Sequence, residues 1–124
     1  NRDGGPEPPV GISVPQAMYD DFVKISEPIQ KIRPDYPFEV KVREPRKRPT
    51  RMGGTDASVF AIEGVPTLGF TTEDFKGYDF DYGDLYTKNI PEYQEHTATV
   101  TAIIALGVAN LDKQLSREGL YTEE

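Results

Sequence analysis

Apolar positions along this chain fall into three periodic runs and one strict alternation. Met18, Phe22, Ile25, Ile29 and Ile32 recur at steps of three and four, which predicts a surface helix with one apolar face turned to a core. Ser13 can cap it, with Gln16 at the capping-box position and Pro15 in the first turn. Pro28 falls inside the run and predicts a kink or a split there. Phe38-Glu39-Val40-Lys41-Val42-Arg43 alternates apolar with charged, the pattern of a strand with one buried face. The longest stripe is Tyr93, Thr97, Val100, Ile104, Val108, Leu111 and Leu115, widened by Ile103 and Gly107. It predicts a helix capped by Asn89, with Pro91 in its first turn and Glu92 three residues after the cap. Pro6, Pro8 and Pro9 predict extended, irregular backbone over residues 6–14, and the polar tail Ser116 to Glu124 predicts fraying.

Between these runs lies the stretch the chain is organised around. Gly53-Gly54 makes a flexible approach, and Thr55 and Asp56 can cap a helix. Ala57 to Glu63 has helical spacing, with Val59, Phe60 and Ile62 apolar and Glu63 free to face water. Gly64 stops that helix, and Val65 to Phe70 reads as a short buried strand. Loop, helix and strand in such short order place Thr55 and Asp56 at the mouth of a sheet, where open α/β sheets hold their sites.

Composition narrows the picture. With 124 residues, 36% apolar and 28% charged, the chain suits one domain or part of a larger one and does not read as disordered. A net charge of −7 argues against nucleic acid and anionic membrane as partners. No cysteine is present, which excludes disulfides and cysteine-based zinc sites. No apolar run approaches the length of a membrane span. The stretch Lys41 to Arg51 holds six basic residues against one acidic residue. It reads first as a solvated loop, and second as a means of holding a substrate carboxylate, because it leads into Gly53-Gly54-Thr55-Asp56. Thr71 to Gly83, with Phe75, Tyr78, Phe80 and Tyr82, reads as a long loop that either lines an apolar pocket or packs on itself.

The pattern Gly53-Gly54-Thr55-Asp56-Ala57, then Phe60, then Gly64-Val65-Pro66-Thr67-Leu68, resembles the M28 family of zinc peptidases, which includes aminopeptidases and the glutaminyl cyclases. Asn1-Arg2-Asp3-Gly4-Gly5 is similar to the family's Asn-x-Asp-x-x-Gly segment. The resemblance implies that Asp3 is a zinc ligand and that Gly54, Thr55 and Asp56 lie beside a peptide substrate. It implies an α/β fold for residues 1–124: the C-terminal portion of a three-layer α/β/α zinc-exopeptidase-like domain with a mixed sheet. It implies an exopeptidase, hydrolysing terminal peptide bonds with a zinc-activated water, and an extracytoplasmic location.

The family's His-x-Asp and Glu-Glu segments correspond to sequence upstream of Asn1. Where members carry an aromatic-His-Thr segment, this sequence reads Gly83-Asp84-Leu85-Tyr86-Thr87-Lys88-Asn89. His96, the one histidine, matches the family's Glu-His-Thr at the start of the last helix, outside the metal site, and reads as a helix-surface or packing residue. A catalytic zinc pair needs about five or six ligating side chains, so the chain alone is expected not to hydrolyse peptides. The alternatives are a non-catalytic module that keeps the fold, or a glutaminyl-cyclase-like transferase. A sheet cut from its missing N-terminal portion predicts association with that portion or with a second copy.

Overall fold

A computed structural model describes residues 8–72 and 91–122. In chain order it contains β1 (Pro9–Val14), a 3-10 turn (Gln16–Met18), α1 (Tyr19–Ile32), β2 (Glu39–Val42), α2 (Ala57–Ile62), β3 (Phe70–Thr72) and α3 (Pro91–Ala109). The strands form one mixed sheet in the order β2-β1-β3. β1 runs parallel to β2, pairing Ile12 with Val40 and Val14 with Val42, and antiparallel to β3, pairing Ile12 with Phe70. The chain is therefore α/β. Parallel neighbours need a crossover of about a dozen residues or more, and α1 supplies it between β1 and β2.

β1 is the central strand, where the prolines predict irregular backbone. Pro9 is accommodated at the strand's first residue, the position where a missing N–H is tolerated. Gly11 lets β2 approach: a Cβ there would stand 2.5 Å from the carbonyl oxygen of Glu39. Ser13 belongs to this strand, so it is not the cap of the helix. The helix starts instead through the turn after Pro15, whose carbonyl accepts from the Met18 amide at 3.0 Å.

α1 then runs unbroken through Pro28. The proline sits on the exposed side, where water can meet the carbonyl that loses its donor. Phe22 and Ile29 are fully buried and Ile25 packs against them, as the spacing predicts, but Ile32 is exposed at the helix end.

The core joins Ile12, Val14 and Val40 of the sheet to Met18, Phe22 and Ile29 of the first helix, Val100 and Ile104 of α3, and Leu120. α3 crosses α1 so closely that a Cβ on Gly107 would collide with the Ile25 side chain. This helix ends at Ala109, so Leu111 and Leu115 of the predicted stripe lie beyond it, with Leu115 still packed on the core. Asn89, its predicted cap, lies outside the described residues.

Two further expectations are corrected. Val65 to Leu68 is not a strand; β3 begins only at Phe70, because Pro66 has no donor for a ladder. The tail is not frayed through its length. Leu120 is buried, and Tyr121 forms a parallel bridge with Arg46, closed by the Thr122 amide donating to the Arg46 carbonyl at 2.8 Å.

Candidate functional site

The Gly53–Asp56 loop is carried on α2, so the site is built from what holds that short helix. At its start, Asp56 occupies the cap position with helical backbone (φ −62°, ψ −30°), and its side chain makes no capping hydrogen bond. The carbonyl of Thr55 instead accepts twice from Ser58, from the amide at 3.1 Å and from the hydroxyl at 2.7 Å. The expected capping by Thr55 and Asp56 is thus replaced by a backbone carbonyl and a serine. Gly54, Thr55 and Asp56 are all exposed.

At its far end α2 stops as the sequence predicts. Gly64 takes a positive φ of 75°. Its amide donates to Ala61 at 3.0 Å, and the Val65 amide donates to Phe60 at 3.0 Å. This pair of bonds is the Schellman arrangement, which meets carbonyls that a helix end leaves open.

Two side chains from elsewhere complete it. Arg48 donates to the Ile62 carbonyl through both Nε, at 2.7 Å, and Nη2. The Tyr121 hydroxyl donates to the Ala61 carbonyl at 3.3 Å. A cation on the last carbonyls also suits the negative end of the helix dipole. Arg48 and Tyr121 were not visible as partners of α2 in the sequence, since their contacts span 14 and 60 residues.

The basic stretch divides accordingly. Arg48 is structural. Arg43, half-buried, donates to the carbonyls of Glu44 at 3.2 Å and Leu120 at 3.4 Å. Burial, then the charge of Arg46, lowers the Arg43 guanidinium from its ordinary value. Arg46, Lys47 and Arg51 are exposed.

The apolar residues of α2 are largely turned outward. Only Ala61 is buried, whereas Val59 is 45% and Phe60 58% exposed, beside Met52 at 67%.

His96 lies at a different place. It is 1% exposed and stacks on Tyr36, with ring centroids 4.4 Å apart and planes 22° from parallel. Neither ring nitrogen has a hydrogen-bond partner among the described residues. Burial first, and then the charge of Arg33, lower the imidazole from its ordinary value against an opposing pull from Asp35. It is a packing histidine, one of the two readings the sequence offers.

Among the described residues no group of three or more His, Cys, Asp or Glu side chains could hold a metal ion. No described helix is long and apolar enough to cross a membrane. Asp3 and the Gly83–Asn89 segment lie outside the described residues, as does most of the Thr71–Gly83 loop. The described donors do not fit a zinc pair. No family model, curated protein or solved structure matches this chain.

Proposed function

We propose that the chain is the C-terminal portion of a three-layer, M28-like zinc exopeptidase domain. In this reading Asp3 contributes to a metal site whose other ligands lie elsewhere, and Gly54, Thr55 and Asp56 flank a peptide substrate. The observation that carries it is the state of the Gly53–Asp56 loop. Its helix is anchored from behind by Gly64, Arg48 and Tyr121, while the Asp56 side chain makes no capping bond and Thr55 and Asp56 are both exposed. A loop held firmly at its base with free polar groups suits substrate contact. The described donor set holds no metal by itself, so no hydrolytic step is assigned to this chain alone. Its partner in the reading is the upstream portion of the domain, with peptide as substrate and neither nucleic acid nor membrane.

Metal content and aminoacyl-reporter hydrolysis test this together. The purified chain is expected to carry no stoichiometric zinc and to release no reporter. Mixing with an upstream segment bearing the His-x-Asp and Glu-Glu motifs is expected to create zinc binding that Asp3→Asn weakens. Chelator-sensitive hydrolysis by the chain alone, or zinc binding by the mixture that ignores Asp3→Asn, overturns the reading.

A second reading, a non-catalytic module with the same fold, is favoured by one observation. The only histidine of the sequence is occupied in the contact between α3 and the turn after α1. A mixture that folds and never binds zinc decides for it.

A further inference from the structure

His96 is placed where its two protonation states have different homes. The neutral ring is held by stacking and burial, which carry no charge into the site: it lies flat on Tyr36, and Tyr36 in turn meets Tyr93 edge-on with centroids 6.3 Å apart. The guanidinium carbon of Arg33 sits 4.4 Å from the centroid of the same Tyr36 ring. This cluster ties the first turns of α3 to the turn that follows α1.

The protonated ring does not fit. It would bury a full charge and two N–H donors with no acceptor among the described residues. Among the described residues only Asp35 favours the charged ring, and its pull is outweighed by burial and Arg33. From the turn after α1 come Arg33, which repels, Tyr36, and Asp35, whose carboxylate is already engaged by Arg33 at 3.3 Å. From α3 itself, Tyr93 meets Tyr36 edge-on, and Glu92 and Glu95 are exposed.

We propose that His96 is an acid-released latch, which when neutral clamps the start of α3 to the 33–36 turn and when protonated leaves the Tyr36 stack for water and frees that helix end. The direction follows from linkage. Burial and Arg33 lower the folded-state value of the imidazole, so the unfolded or opened state binds the proton more readily. The latch is complete above the ordinary histidine value of about 6.5 and is lost as pH falls through the lowered folded-state value.

The sole imidazole makes the test direct. Its C2 proton is followed by NMR between about pH 7.5 and 4.5, alongside amide exchange corrected for intrinsic pH dependence. Protonation is expected below the ordinary value, together with an increase of roughly tenfold or more in exchange confined to the amides of Asp35, Tyr36 and residues 95–97. In His96→Phe, which keeps a stacking ring that cannot titrate, the increase should vanish. Arg33→Gln should move the imidazole titration to higher pH and shrink the opening, and it keeps the test available should the first variant not fold. The proposal is overturned if the imidazole titrates at its ordinary value with exchange unchanged. It is equally overturned if His96→Phe opens with the same pH dependence, or if the ring stays neutral until the whole chain unfolds in one step.

Discussion

Gly64 and Asp56 bound the same six-residue helix, yet they make opposite predictions. Gly64 holds a φ of 75°, and the nearest neighbour of a Cβ on it would be the Arg48 guanidinium at an ordinary 3.6 Å. The cost of Gly64→Ala is therefore one of backbone alone, about 1–2 kcal/mol, read as a fall in the denaturant midpoint with unchanged slope. Asp56 stands at a cap position without a capping bond. Asp56→Ala is therefore expected to change stability by less than about 0.5 kcal/mol, where loss of a working cap costs about 1 kcal/mol. An equal loss in the two variants contradicts the structure at this helix.

Among the elements, the α1–α3 crossing is the most constrained. Gly107 gives Ile25 its space, so Gly107→Val is expected to destabilise by about 1–3 kcal/mol through overpacking. Ile25→Ala should recover part of that loss in the double variant; strictly additive losses by chemical denaturation would refute the contact. Phe22, fully buried between helix and sheet, should cost about 3–5 kcal/mol as Phe22→Ala.

Both long helices were legible in the sequence because their partners in the pattern lie three and four residues apart. The alternation over residues 38–43 likewise announced β2, with Val40 buried, although Val42 at the open edge is exposed. β1 was hidden: its prolines mask a strand whose pairing is decided by β2 and β3, dozens of residues away. The stop at Gly64 was legible and the clamp behind it was not, since local chemistry sets the first and tertiary contact the second. Ser58 was overlooked because its acceptor is a backbone carbonyl, which no residue pattern marks.

At the scale of the molecule, several large apolar side chains of the described residues stand exposed. Met52, Val59 and Phe60 stand exposed around α2, and Leu106 is 64% exposed on α3, beside Ala98, Ala102 and Ala105. A helix apolar on most sides is usually covered by something, and exposed apolar residues in groups mark contact surfaces. The proposed association with a second copy or with an upstream portion therefore predicts concentration-dependent sedimentation. Phe60→Ser together with Leu106→Ser should shift the material toward monomer, and a wild-type chain that sediments as a monomer at high concentration would remove the basis for it.

The bridge between Arg46 and Tyr121 bears on the order in which the chain can be completed during synthesis. A six-residue helix has no independent stability in water, since isolated helices need about 12–15 residues even when favourable. Two of the side chains that hold α2 depend on this junction, Tyr121 directly and Arg48 through the strand-like stretch it follows. On a ribosome, residues 53–64 emerge long before Leu120 and Tyr121 have been made. The anchor behind α2 is thus completed late in translation. A nascent chain halted before residue 120 carries the sheet residues, both long helices and the Gly53–Asp56 loop, but lacks the Tyr121 contact behind α2.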